Sequence, residues 1–145
     1  PRGSELFLEN GPHNNFVQGN TFGQSQYNPI RIDYGESNLL RANTFSGDRF
    51  DQMILLLEGG NASLPAPTVA SAAGSAISGT TISFGYVEVY FSENGLVSPL
   101  GSTVADKNGN FMFTAAEPLT GKQVLLLVSD ALGNTSCFSA AVNAS

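Results

Sequence analysis

The chain has no tryptophan, one cysteine, one histidine, and lysine only at Lys107 and Lys122. Each scarcity closes a class of function. A single thiol, Cys137, makes no disulfide within the chain and no cysteine-rich zinc site. A single imidazole, His13, builds neither a histidine metal site nor a pair of imidazole catalysts. Lys and Arg together number 6 against 12 acids, a net charge of −6, and no basic stretch occurs. A protein that holds a nucleic-acid backbone displaces counterions from phosphate with Lys and Arg, so nucleic acid is excluded as a partner. No apolar run is long enough to span a membrane, and membrane insertion is not expected. No serine elbow, phosphate loop or Cys–His pair is present, so no catalytic residues are assigned and the fragment reads as a non-enzyme.

What is present is turn chemistry. Gly occurs 16 times and only 12% of residues are charged, with Ser, Asn and Thr plentiful. That composition is common in extracellular β proteins, which predicts a secreted or cell-surface location. Pro1 to Ser4, "PRGS", reads as the remnant of a vector-encoded tag and is set apart from the fold.

The text between Glu5 and Asn61 repeats itself. "NNFVQGNTF" returns as "SNLLRANTF", with Asn20 and Asn43, and Phe22 and Phe45, each 23 residues apart. "LFLENG" from Leu6, "IRIDYG" from Ile30 and "LLLEGG" from Leu55 share one pattern at offsets of 24 and 25. Self-similarity at this period marks stacked units. The alternations are short and end in Asn-Gly, Gly or Pro, so each unit is a coil of short strands rather than a helix pair. Ile30 and Ile32, like Leu6 and Leu8, point inward, and Asn20 and Asn43 can form a ladder of side-chain amides that satisfies turn backbone. "VQGNTF" and "LRANTF" resemble the "N-x-I-x-G-N-x-I" repeats of secreted right-handed parallel β-helix proteins. The resemblance implies about two and a half terminal rungs, with upstream rungs of the same protein as a partner.

"SLPAP", Ser63 to Pro67, reads as a linker. Beyond it seven short strands are expected, in "PTVAS", "ISGTTI", "YVEVYFS", "LGSTVAD", "NFMFTA", "KQVLLLVSD" and "SCFSAAV", separated by turn signals such as Asn94-Gly95 and Asn108-Gly109. Strands at this density predict a β-sandwich. "GSTVADKNGNFMFTA" and "PLTGKQVLLLVSDALGNTSCFSAAV" resemble the Ig-like modules of bacterial secreted and surface proteins. Asp106, Asn108, Gly109 and Phe111 match one family motif, and Asp130, Ala131, Gly133, Asn134, Thr135 and Ser136 match the other. The expected fold is therefore all-β, with terminal rungs of a parallel β-helix at 5–62, a linker at 63–67 and a seven-stranded Ig-like antiparallel sandwich at 68–145.

Two places offer oxygen ligands to calcium. Glu9, Asp33 and Glu58 recur at one point of the repeat, and on strands roughly 4.8 Å apart they would stack as three carboxylates. Asp106, Asn108 and Asn110 form the second candidate, although Gly stands fourth where an EF-hand loop has it sixth, and Asn-Gly there first suggests a type I′ hairpin turn. The plainer reading makes both sets ordinary turn residues. Arg31, Arg41 and Arg49 with Asp33 and Asp51 resemble the charged outer faces of polysaccharide-degrading β-helices, but nothing fixes the pair of carboxylates a glycosidase needs.

The strand "KQVLLLVSD" carries apolar residues on both faces. Val124, Leu126 and Val128 take the inward positions, which leaves Leu125 and Leu127 facing out. The same alternation turns Val87, Val89, Phe91 and Phe138 inward and Tyr86, Glu88, Tyr90 and Cys137 outward. Tyr86, Tyr90, Leu125, Leu127 and Cys137 then form one apolar outer patch, a candidate interface. Three coverings are possible: the β-helix half of the same chain, a homodimer partner, or a polysaccharide stacked on the tyrosines. The competing reading slips the register by one and makes the leucines simple core. The function expected is a non-catalytic adhesive or structural module of a secreted or cell-surface protein, capping and presenting a β-helix. The alternatives are an accessory C-terminal region of a β-helix polysaccharide-degrading enzyme, or a carbohydrate-binding module.

Overall fold

The structure, a computed structural model, describes residues 6–23 and 28–145; the tag-like Pro1 to Ser4 lies outside them. The chain is all-β, with two short 3₁₀ turns among the described residues, at Phe50–Gln52 and Gly60–Ser63. The strands are β1 (Leu6–Leu8), β2 (Phe16–Gln18), β3 (Thr21–Phe22), β4 (Ile30–Asp33), β5 (Leu39–Arg41), β6 (Thr44–Ser46), β7 (Ile54–Leu57), β8 (Thr68–Ala73), β9 (Ala76–Thr80), β10 (Tyr86–Glu93), β11 (Leu96–Val104), β12 (Asn110–Thr114), β13 (Gln123–Ser129) and β14 (Val142–Asn143).

The repeat of the first half is a repeat of parallel ladders. β1 pairs β4 and β4 pairs β7; β2 pairs β5; β3 pairs β6, placing Phe22 opposite Phe45. Ile30, Ile32 and Ile54 point inward and are fully buried. Each turn that ends the first ladder holds a left-handed residue, at Asn10, Tyr34 and Glu58. The turns lie so close that a Cβ on Gly35 would overlap the Pro12 carbonyl, which leaves only glycine there.

These ladders do not make a β-helix. The β3–β6 ladder joins an antiparallel array through β6, giving a six-stranded mixed sheet in the order β14-β13-β10-β11-β6-β3. Val97 of β11 pairs with Phe45 of β6 in antiparallel register. Among the described residues no sheet closes or continues as a solenoid. The expected β-helix rungs are therefore corrected: β3 and β6 of the first half share one mixed sheet with strands of the second half. The second half is sandwich-like, with β12-β9-β8 packed against β10, β11, β13 and β14.

Two details of the second half depart from expectation. "SCFSAAV" is not a regular strand, and only Val142–Asn143 pairs as one. Ser136 and Ser139 donate their N–H groups to the Val128 and Leu126 carbonyls, so three residues span the length of two. Their hydroxyls accept the N–H groups of Val128 and Leu126, standing in for backbone carbonyls. This bulging breaks the alternation, and Phe138 comes to the same side as Cys137: Phe138 meets Tyr90 edge-on and Cys137 packs against the same cluster. Asn108-Gly109 is not a hairpin turn either. It joins β11 in one sheet to β12 in the other, and Asn108 lacks the positive φ that a type I′ turn requires. Asn94 and Gly95, both at positive φ, do make the tight turn between β10 and β11.

Candidate functional site: the seam between the halves

Parallel ladders leave an edge at each end of the stack. The edge after the second turn, Ser37 to Gly47, would expose a row of backbone N–H groups. Residues from elsewhere in the chain meet that row. Asn134 Oδ1 accepts Ser37 N–H at 2.7 Å, and Asn61 Oδ1 accepts Asn38 N–H at 3.0 Å. Thr135 Oγ1 accepts Leu40 N–H at 3.0 Å. The Glu88 carboxylate accepts Ala42 N–H at 3.1 and 3.2 Å, and the Ala42 and Asn43 N–H groups face the Tyr90 hydroxyl. Strand pairing with β11 then covers Phe45 and Ser46, and Gly47 N–H reaches the Gly95 carbonyl at 2.8 Å.

Asparagine ladders run down to this seam. Asn20 donates its N–H to Asn43 Oδ1 at 3.0 Å and its Nδ2 to the same oxygen at 3.3 Å. A second ladder, which the sequence reading missed, links Asn15, Asn38 and Asn61: Asn15 Nδ2 reaches Asn38 Oδ1 at 2.8 Å. Its signal was there to find, since Asn15, Asn38 and Asn61 keep the 23-residue spacing of Asn20 and Asn43. Asn61 ends its ladder by donating Nδ2 to the Asn38 and Thr135 carbonyls at 2.7 and 3.0 Å. The other ladder has no third asparagine, because the next position at that spacing is Ala66, which has no side-chain amide. Glu88 and Tyr90 meet the end of that ladder instead.

The expected interface residues meet at this seam. Tyr90, Leu125 and Leu127 are buried in one cluster with Ile30, Ile32, Leu40, Phe45, Met53 and Ile54, and Cys137 packs against it half-buried. Leu126, Val124 and Val128 face the other way, into the core between the two sheets of the second half. The covering over the outer face is thus the first half of the same chain. Tyr90 is 0% exposed, its ring edge-on to Phe138 at 5.0 Å, and it offers no face to a sugar. Tyr86 stays half-exposed at the rim, with Arg41 stacked over its ring at 4.2 Å.

The electrostatics follow from burial. Glu88 lies in the seam, and desolvation pushes its carboxyl above the ordinary range. Hydrogen bonds from the Tyr90 hydroxyl, at 2.8 Å, and from Ala42, with nearby Arg41, oppose that shift. Burial first, then the Glu88 charge, pushes the Tyr90 phenol upward, so it stays a donor at any working pH. Burial likewise raises the Cys137 thiol.

The candidate calcium ligands Glu9, Asp33 and Glu58 do not line up on one layer-to-layer column. Among the described residues no group of three or more His, Cys, Asp or Glu side chains could hold a metal ion. Asp33 lies opposite Leu57, not Glu58, because the third repeat is out of phase by one: buried Ile54, rather than Leu55, aligns with Ile30. Glu58 occupies the left-handed position of Asn10 and Tyr34 and, like Glu9, is exposed. Asp33 is engaged by Arg31, whose guanidinium reaches both carboxylate oxygens at 2.7 to 3.1 Å. Asp106 braces its own loop, with Oδ1 accepting the N–H groups of Asn108 and Asn110 at 2.8 and 2.9 Å. Those bonds, Asn110 foremost, hold its carboxyl below the usual range.

The loop at Asp130 repeats that geometry. Its Oδ1 accepts the N–H groups of Leu132 and Asn134, and its Oδ2 takes Asn134 Nδ2 at 2.9 Å. Gly109 and Gly133 sit at the same left-handed step of the two loops. One loop is exposed; the other carries Asn134 and Thr135 into the seam.

A search against protein-family models finds no match to the chain, and no curated protein matches it. The resemblance to β-helix repeats and to bacterial Ig-like modules therefore finds no support from any family, in line with the mixed sheet.

Proposed function

We propose that the chain is a non-catalytic structural module of a secreted or cell-surface protein, whose second half caps the first and holds it in a presentable form. One observation carries this reading. The N–H groups of Ser37, Leu40 and Ala42 are met by Asn134, Thr135 and Glu88, three polar side chains of the second half. Unpaired strand edges template association with other chains, and proteins that must remain discrete cover them. The buried leucines and Tyr90 beneath those bonds give the cap its apolar footing. Low charge and abundant turn residues support an extracellular setting.

The test is a Glu88→Ala/Thr135→Ala double variant of the full chain, followed by light scattering over a concentration series and by limited proteolysis. The expected result is concentration-dependent association and faster cleavage within residues 37–47. A variant that stays monomeric and as resistant as the parent would sink the capping reading.

A further inference from the structure

The chain crosses from its first half to its second through a left-handed turn. Asn61, Ala62 and Ser63 follow one another at φ 49, 55 and 49, and nowhere else among the described residues do three left-handed positions stand in a row. Asparagine tolerates that conformation. Alanine and serine do so at a cost, because their Cβ crowds the following carbonyl oxygen. Ala62 and Ser63 are exposed, so packing of their side chains does not offset the strain. Strain of this kind persists only where the surroundings hold it, and it marks segments that switch. We propose that Asn61 to Ser63 is a strained clasp, a conformational device that opens as one unit ahead of the rest of the seam.

The turn is held at both ends and by one side chain. On the near side Gly60 lies so close to the stack that a Cβ there would overlap the Ile32 carbonyl. On the far side Leu64 packs against the core of the second half, and its N–H returns to the Asn61 carbonyl at 3.1 Å. Between them Asn61 makes four bonds. Its backbone N–H donates to the Gly35 carbonyl at 2.6 Å, its Oδ1 accepts Asn38 N–H, and its Nδ2 donates to the Asn38 and Thr135 carbonyls. The bonds and the strain therefore belong to neighbouring residues and oppose each other. Withdrawal of Asn61 breaks the four bonds together and lets Ala62 and Ser63 relax into ordinary backbone.

The other contacts of the seam do not depend on that step. Thr135 Oγ1 still accepts Leu40 N–H, and Asn134 Oδ1 still accepts Ser37 N–H. Left-handed residues elsewhere in the seam occur singly, at Ser37 and Ala42. A left-handed residue bearing a Cβ is disfavoured by about 5–30-fold, and Ala62 and Ser63 each carry that factor in the closed state alone. The clasp is accordingly where the seam first comes undone. The proposal stands apart from the capping reading, since it concerns how the seam opens and not what its closure prevents.

Native-state hydrogen exchange on the isotope-labelled full chain is the test. The amides of Asn38, Asn61 and Leu64 should exchange through one shared opening, roughly tenfold more frequent than the opening that frees Leu40 or the amides of β10 and β13. Ala62→Gly removes strain without removing a side-chain contact. The extra freedom of glycine in the open state offsets part of that gain, so the shared exchange should slow about threefold while Leu40 is unchanged. Ala62→Val, at the same exposed position, should hasten it. Exchange of all these amides together with Leu40, through one common opening, overturns the proposal. So does an Ala62→Gly variant whose shared exchange is unchanged or faster, which is the ordinary result of that substitution where no strain is stored.

Discussion

Asn61 donates its side-chain amide to the Thr135 carbonyl at 3.0 Å, joining residues 74 positions apart inside a fully buried site. The same side chain accepts Asn38 N–H and donates to the Asn38 carbonyl. Its backbone is left-handed, at φ 49, a conformation that asparagine tolerates better than most residues. Asn61→Ala strands three backbone partners, each costing about 1–3 kcal/mol when left unmet without water. The expected loss is about 3 kcal/mol in urea denaturation. A loss under about 0.5 kcal/mol, the range of ordinary surface changes, would mean that water replaces the side chain.

Leu127 is 2% exposed and lies on the first-half side of β13. Leu127→Ala should cost about 2–5 kcal/mol, as buried leucines do. Because the cavity opens in a core that both halves share, unfolding should stay a single transition at a lower midpoint. Tyrosine fluorescence and far-ultraviolet dichroism should coincide throughout. Two separated transitions in the variant would show that the first half stands without its cap.

Glu88 gives a pH dependence of definite sign. Its folded pKa is raised, by desolvation first, so the folded state holds the proton more tightly than the unfolded chain. Its contribution to stability is fully present below the ordinary carboxylate pKa and is lost as pH rises through the raised value. Glu88→Gln keeps an oxygen for Ala42 N–H and removes the titration. The stability of the variant relative to the parent should therefore increase as pH rises across that window, measured as the difference in urea midpoint. A difference that is flat, or that slopes the other way, would show that the hydrogen bonds from Tyr90 and Ala42 outweigh burial.

Much of the first half is legible because its spacing is physical. Phe22 lies opposite Phe45, and Asn20 beneath Asn43, because a parallel ladder converts a fixed offset into contact. The third repeat misled because Leu55, Leu56 and Leu57 are chemically alike. Only burial of Ile54 sets their phase, and burial is a tertiary fact. In the second half, alternation placed Leu125 and Leu127 opposite Leu126, and it failed at Phe138, where Ser136 and Ser139 bulge the chain. Glu88 read as an ordinary outward acid. Nothing local distinguishes it from a solvated one, since its partner Ala42 lies 46 residues away. The joining of β6 to β11 was invisible for the same reason, and it is what carries one sheet through both halves.

Leu40 and Thr135 bond across 95 residues, and Ser37 and Asn134 across 97. A ribosome releases the chain from its N-terminus, so the second turn emerges well before the side chains that close its edge. Until residues near 135 clear the exit tunnel, the Ser37 and Leu40 N–H groups of that turn lack their partners. Contacts this distant are slow to form, and a nascent chain carrying an uncovered strand edge is exposed to aggregation. The interval of synthesis between Gly47 and Thr135 is when that edge passes from open to closed, with Ser37 and Leu40 the last to be met.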